Sequence, residues 1–347
     1  MHSLLGPGLP KHYTGADTSR VTLAYFCVTG LDLLGKLSTC SKAQRDAVKD
    51  WVLAQQIFPI PDSSGSGWRK CGFRGGSYGG MPFTPFYIIN KYSDDSGASG
   101  MDEGHLAMTF SALATLSSLG DDLTSVDVMT TVQALRFLQR EDGSFRASVD
   151  DSTCDLRFTY CACAVSSILG DWSGVDRQKA TAYIERCFDF DGGIGLAEGR
   201  ESCAGSTYCA VASMELMGTL GTLSTERREG LLEWCVKRQV GGFQGRVNKS
   251  ADTCCSFWVG ATLVLLGELR LLDRARIRTF HVSCQNNVLG GYSKVPGMPP
   301  DLLHSFYSVC WLSLAEEPGV EKMDVALGVT RRTATRIRSS FESRAVR

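Results

Sequence analysis

The chain has 347 residues and a mass of 37.7 kDa, with 43% hydrophobic and 21% charged residues, ordinary proportions for a globular protein able to bury a large core. A formal net charge of −1 and a pI near 6.5 leave no global basic field to recruit nucleic acid or an anionic membrane, so any anion site must be local. Fourteen cysteines would suggest a disulfide scaffold in a small secreted chain, but the first ten residues have no basic start and no long apolar run. Cys161, Cys163, Cys209 and Cys310 lie inside apolar helical stretches and read as reduced, buried thiols of a cytoplasmic protein. No stretch reaches the roughly 18 apolar residues needed for a transmembrane segment.

Residues 1–16 are rich in Gly and Pro and are expected to be poorly ordered; residues 17–347 are expected to form one domain. From Asp17 the sequence runs into a segment with little polar content, which predicts a mostly buried helix capped by Asp or Thr. Residues 61–104 carry Gly, Ser, Pro and Tyr without periodicity, the composition of a functional loop or an insert.

From residue 104 onward two features recur. Glycine-rich turns at 139–145, 188–194, 237–243 and 284–292 end in Phe145, Ile194, Phe243 and Tyr292, spaced by 49, 49 and 49 residues. Hydroxyl–aromatic pairs open apolar stretches at Thr109 and Phe110, Thr159 and Tyr160, Thr207 and Tyr208, Ser256 and Phe257, and Ser305 and Phe306, with aromatic steps of 50, 48, 49 and 49. An earlier copy of the turn, from Gln56 to Phe73, contains an insertion. Two helices per period of about 49 predict an all-α array of helical hairpins. The apolar helix of each unit, such as that from Trp258, must be covered on every side. An open superhelix would leave one face bare, so the expectation is closure into an α/α barrel, with an amphipathic outer helix in each unit such as 226–238.

Equivalent positions of a closed array share one height. Four residues before each hydroxyl stand His105, Asp155, Cys203, Asp252 and Asp301. One rim should therefore gather His105, Arg157, Asp252, Cys254, Asp301 and His304, over helix N-termini whose partial positive charge favours an anion. Asp252, Cys254 and His304 offer mixed oxygen, sulfur and nitrogen donors, and three protein ligands leave a fourth position open, as in a catalytic zinc site. On residue types and register, a helix cap, a core cysteine and a satisfied histidine account for the three equally well. Arg246, Lys249 and Lys294 lie in turns of neighbouring units and, with Arg157, suit a diphosphate; single surface cations are also commonplace. Phe110, Tyr160, Tyr208, Phe257, Trp258, Phe306 and Tyr307 are either plain core or the wall of an apolar tunnel for a long hydrocarbon.

With these residues in view, the sequence resembles the β subunits of protein prenyltransferases, the type I geranylgeranyltransferases among them. The resemblance runs from about residue 13 to 335. It is carried by Thr18-Ser-Arg-Val-Thr22, Cys71-Gly-Phe-Arg-Gly-Gly-Ser-Tyr78, Gly104-His-Leu-Ala-Met-Thr109, Leu156-Arg-Phe-Thr-Tyr160, Gly245-Arg-Val-Asn-Lys249, Asp252-Thr-Cys254, Ser256-Phe-Trp-Val-Gly-Ala261 and Asp301-Leu-Leu-His304. It implies an α/α toroid and an obligatory α subunit. It also implies a zinc ion on Asp252, Cys254 and His304, and transfer of an isoprenoid from its diphosphate to the cysteine of C-terminal CaaX motifs in proteins such as small GTPases.

Carried over position by position, the resemblance puts Arg246, Lys249 and Lys294 on the diphosphate. Thr22, Phe26, Gly205 and Trp258 would touch the isoprenoid, and His105, Ala107, Arg157, Tyr160 and Leu303 the peptide. Lys294 stands where farnesyl enzymes have a magnesium-recruiting aspartate, so no Mg2+ should be required. Thr22 stands where they have a bulky tryptophan, which leaves room for the 20-carbon geranylgeranyl chain. A farnesyl or dual-specificity enzyme is the alternative, as is a zinc-binding subunit with impaired catalysis. A terpene cyclase is disfavoured because the sequence has no DxDD-type acidic run. Two positions depart from the family: Cys203 replaces a histidine and Cys255 a tyrosine, both diphosphate donors, and a thiol is the weaker donor.

Overall fold

The computed structural model describes residues 9–59, 67–77 and 103–345; the remainder of the expected loop at 61–104, including Tyr78, lies outside them. Twelve α-helices occur among the described residues. Six are apolar: α1 (Arg20–Leu33), α3 (Leu106–Ser118), α5 (Leu156–Leu169), α7 (Ala204–Met217), α9 (Thr253–Leu265) and α11 (Leu302–Leu314). Each packs on the next and α11 packs back on α1, which closes the ring. Five more alternate with them along the chain: α2 (Lys42–Leu53), α4 (Val128–Leu138), α6 (Arg177–Arg186), α8 (Thr225–Lys237) and α10 (Arg274–Cys284). Short strands pair as three hairpins, β1 (Gln56–Ile57) with β2 (Gly72–Phe73), β3 (Phe243–Gln244) with β4 (Ala251–Asp252), and β5 (Met323–Asp324) with β6 (Val329–Thr330), and the last helix, α12 (Arg331–Ala345), follows β6. The α/α barrel read from the 49-residue period is therefore the observed architecture.

The chain enters the barrel later than its sequence suggests. Lys11–Ser19 coils into a 3₁₀ helix, and α1 opens at Arg20, because the Asp17 carboxylate takes the Arg20 guanidinium (2.7 Å) instead of capping a helix. Tyr13, inside the segment expected to be poorly ordered, accepts the backbone N–H of Leu302 through its hydroxyl at 2.8 Å.

In three of the five units the two recurring sequence features prove to be partners, while the hydroxyls of Thr159 and Ser256 are buried without one. Thr109, Thr207 and Ser305 accept the backbone N–H groups of Phe73, Ile194 and Tyr292, the last residues of their glycine turns, at 3.0, 3.2 and 2.9 Å. The insertion-bearing turn obeys the same rule: Gln56 pairs with Phe73 as Gln139 pairs with Phe145 and Phe188 with Ile194. The glycine requirement is plainest at Gly143, which has φ of +89°; a Cβ there would stand 2.1 Å from the Lys179 carbonyl. Glutamines then stitch unit to unit. Gln139 and Gln239 each donate to and accept from the backbone of Asp176 and Asp273, which cap α6 and α10.

The end of the barrel remote from the inner-helix N-termini is sealed by the β5–β6 hairpin. Its turn reaches the hydroxyls of Tyr25, Tyr160 and Tyr208, which donate to the carbonyls of Gly328 (2.7 Å), Ala326 (3.1 Å) and Val325 (2.9 Å). At the foot of α1, buried Asp32 accepts from Thr330, Thr333 and Arg332 at 2.7, 3.2 and 2.6 Å. All fourteen cysteines are free thiols, and no helix among the described residues is long and apolar enough to cross a membrane.

Candidate active site at the inner-helix N-termini

His105, Asp155, Cys203, Asp252 and Asp301 are the N-cap residues of α3, α5, α7, α9 and α11, so the counted register puts them on one rim. Four of the side chains close their own helix: those of His105, Asp155, Asp252 and Asp301 accept from the first-turn N–H groups of Ala107, Arg157, Cys255 and His304. The first helical N–H of Ala204 donates to Gly245 O (2.8 Å) and that of Thr253 to Lys294 O (3.1 Å). Each turn bearing a candidate cation is thereby fastened to the N-terminus of the preceding inner helix.

The turn between β3 (Phe243–Gln244) and β4 (Ala251–Asp252) displays Arg246 and Lys249. Asn248 takes φ of +60° there, a conformation its short polar side chain tolerates, and Lys249 N donates to Arg246 O at 3.3 Å. Arg246, Lys249 and Lys294 are all exposed; Arg246 rests on Glu201 at 3.2 Å.

Asp252, Cys254 and Cys255 bring a carboxylate oxygen and two sulfurs within 4.8 Å of one another, the single such group of three or more among the described residues. Asp252 Oδ1 accepts from the Cys254 thiol at 2.8 Å and from Cys255 N at 3.0 Å. The hydrogen bond between the two thiols, then burial and the Asp252 charge, hold the Cys254 thiol well above its ordinary range. The donor set of carboxylate oxygen and sulfur suits a thiophilic divalent metal.

His304, expected in this cluster, is not part of it. Its Nδ1 lies 2.6 Å from Asp301 Oδ2, so the capping aspartate draws the ring towards its own helix. Donation from Nδ1–H to that carboxylate would leave Nε2 as the ring's acceptor. The spacing of three residues between Asp301 and His304 was the available signal for this pairing.

On the other side of the rim, Arg157 turns back on the cap of its own helix, with Nη2 2.6 Å from Asp155 Oδ2 and Nε 3.0 Å from Oδ1. That hydrogen bond raises its pKa further. His105 stands 5.7 Å from the Phe158 ring, and burial lowers its pKa. Ala107 and Leu303 sit in the first turns of α3 and α11. Tyr160 is one turn deeper, its hydroxyl directed to the hairpin.

The sequence matches the prenyltransferase α-α toroid domain family over residues 1–329. The chain is 40% identical over 331 residues to the geranylgeranyl transferase type-1 subunit β of Arabidopsis thaliana, spanning 92% of this chain and 84% of that protein. To the protein of the same name in Dictyostelium discoideum it is 36% identical, over 94% and 92% of the two. The chain belongs to the prenyltransferase family, as one of its β subunits. The solved structure of Candida albicans protein geranylgeranyltransferase-I complexed with GGPP covers 96% of this chain and 94% of that one with a TM-score of 0.80; at 22% identity this likeness speaks for the toroid fold.

The interior of this prenyltransferase is aromatic. Tyr25, Phe110, Tyr160, Tyr208, Phe257 and Tyr307, one per inner helix, stand with successive ring centroids 5.4, 5.5, 5.5, 5.1 and 5.3 Å apart, and Phe26 completes the circle 5.9 Å from Tyr307. Trp258 lies 5.3 Å from Tyr307, and a Cβ on Gly205 would rest on its indole at 3.7 Å. Phe26, Tyr307, Trp258 and Gly205 thus form one continuous wall. Thr22 stands on the same helix as Phe26, its hydroxyl 3.3 Å from Ser111 and 3.5 Å from the Met108 sulfur. The sequence reading missed Ser111 and Met108 as its neighbours because they are two more residues of an apolar helix.

Proposed function

We propose that this prenyltransferase is the β subunit of a zinc-dependent protein geranylgeranyltransferase of type I. It would work with an α subunit in the cytoplasm and move the geranylgeranyl group from geranylgeranyl diphosphate to the cysteine thiol of a C-terminal CaaX motif. The observation that carries this reading is the rim itself: a carboxylate–thiol cluster at the N-terminus of α9, three exposed cations on turns fastened to adjacent helix N-termini, and an aromatic interior below them.

Asp252 and Cys254 suit zinc by donor chemistry, and His304 offers Nε2 once Asp301 holds Nδ1. Zinc bound there would lower the pKa of the substrate thiol. The chain's own residues do the rest. The aromatic wall formed by Phe26, Tyr307, Trp258 and Gly205 takes the hydrocarbon, with Thr22 leaving volume beside Phe26. Arg246, Lys249 and Lys294 face the charge that grows on the departing diphosphate, in a field reinforced by the helix N-termini. Lys294 supplies positive charge that a magnesium ion would otherwise bring. Arg157 and His105 border the peptide side, where the guanidinium can share its donors with a terminal carboxylate.

Cys203 and Cys255 weaken leaving-group stabilisation relative to relatives with His and Tyr there, at roughly 2–4 kcal/mol per oxyanion donor. The test is co-expression with an α subunit, zinc analysis, and transfer to a Leu-ended CaaX peptide from 15- and 20-carbon diphosphates with and without magnesium. Preferential, magnesium-independent use of the 20-carbon donor is expected. A preference for the 15-carbon donor would mark a farnesyl enzyme, and zinc binding without transfer a subunit that has lost catalysis. Turnover equal to that of a family member with both donors would sink the claim of reduced activity.

A further inference from the structure

The aromatic interior, the buried unpaired His281 and the exposed apolar tips Phe190, Val288 and Leu289 are accounted for by packing or show no occupant. Cys255 is different. We propose that Cys255 is a metal ligand in this chain, so that the ion is held by two adjacent thiolates and the Asp252 carboxylate rather than by a single sulfur. The proposal rests on the zinc reading above and departs from the ligand set that the family resemblance implies.

Cys254 and Cys255 are the only adjacent cysteines in the sequence, and both are buried, at 4% and 2% exposure. Their sulfurs and the Asp252 carboxylate already lie within 4.8 Å of one another. Two sulfurs on a tetrahedral zinc at about 2.3 Å each stand roughly 3.8 Å apart, so an ion could close the group by side-chain rotation alone. The backbone is set for this, because Asp252 Oδ1 accepts the Cys255 N–H at 3.0 Å and fixes the first turn on which both thiols ride. Gly245 backs closely on Cys255: a Cβ there would stand 3.0 Å from its sulfur.

The His304 ring is held by Asp301 through Nδ1, which leaves Nε2 as its one remaining ligand atom, so His304 is compatible with the two sulfurs and does not replace either. Binding a divalent ion would release one proton from each thiol and leave two thiolates and a carboxylate around it. Together with the divalent ion that set carries one net negative charge, with Arg246, Lys249 and Lys294 on nearby turns. Such a site is softer than one with a single thiolate and should discriminate more strongly against oxygen-seeking ions.

The experiment uses the full chain purified with its α subunit. Zinc X-ray absorption of the unmodified complex is expected to fit two sulfur ligands at about 2.3 Å; one sulfur overturns the proposal. In the cobalt-substituted complex the thiolate-to-metal charge-transfer band should fall to about half in Cys255→Ser, with zinc affinity weakened roughly tenfold or more. A Cys255→Ser complex with unchanged circular dichroism, full band and full affinity overturns it too, as does a wild-type complex that holds no stoichiometric metal. A complex that transfers prenyl with a one-sulfur zinc leaves the function standing and removes the proposal. A two-sulfur zinc without transfer does the reverse.

Discussion

The two ends of this barrel handle their polar groups in opposite ways. At the hairpin end the buried polar groups of the seal are spent: Asp32 accepts three hydrogen bonds, and three tyrosine hydroxyls meet three backbone carbonyls. At the rim four of the five counted helix N-termini are capped by side chains, yet Lys249 and Lys294 stand exposed, Arg246 meets water and Glu201, the Cys254 thiol and the Cys255 N–H share one carboxylate oxygen, and Arg157 is held by its own cap and the Phe158 ring. A closed end holds the toroid together; an end with unspent donors and acceptors can bind. Changes at the rim should therefore cost function and little stability, and changes at the hairpin the reverse.

The largest expected effect belongs to the rim. Cys254→Ala should cut transfer by about a thousandfold or more, equivalent to about 4 kcal/mol of transition-state stabilisation, and remove stoichiometric zinc. The urea midpoint of the zinc-free protein should hardly move. A variant that keeps its zinc and turnover would end the assignment. The matching change at the other end is Asp32→Ala, which orphans two buried hydroxyls and frees Arg332. It should destabilise the fold by about 3 kcal/mol, read as a lower urea midpoint, while zinc per folded molecule stays at the wild-type value. Tyr25→Phe is milder. It leaves the Gly328 carbonyl without its donor, at a cost of about 1–2 kcal/mol, and transfer by the folded fraction should be unchanged. Loss of zinc in either hairpin variant would show that the ends are coupled.

How much of this was legible in the sequence follows the same division. The closed toroid could be read because the period near 49 repeats one local unit, a glycine turn followed by an apolar helix, and in three copies the helix hydroxyl accepts the N–H of its own turn. The rim could be read because equivalent residues of a closed array share a height, and all five counted positions are N-caps. The hairpin seal could not, since the partners of Tyr25 and Asp32 lie about 300 residues away and no repeat announces them. The closeness of Cys255 to Asp252 and Cys254 was hidden for a different reason: register gives the height of a residue on the rim but not the direction of its side chain. The glutamine stitches were in plain view as the recurring Gln of the turns, but their partner is backbone, which leaves no pattern of residue types.

His281 belongs to neither end and offers the smallest, most discriminating test. It is buried on α10 between Tyr292 and Trp311, with ring centroids at 5.9 and 6.2 Å, and neither ring nitrogen has a hydrogen-bond partner. Burial pushes its pKa down to about 4. At pH 7 the ring is neutral in both folded and unfolded chains, so the penalty is only that of two orphaned polar atoms, and His281→Leu should stabilise by about 1 kcal/mol. Below pH 6.5 the unfolded chain takes up a proton that the folded one refuses until about pH 4, so this residue's contribution falls as pH falls through that window. The loss amounts to about 3 kcal/mol at 1.36 kcal/mol per unit. Urea unfolding of wild type and His281→Leu at pH 7 and pH 5 should therefore diverge as the solution is acidified, with zinc-free protein in both arms so that the acid lability of metal ligands does not intrude. Parallel curves would mean that the ring is hydrated or partnered in solution, and the core between α10 and α11 would then be the place to look for a bound water.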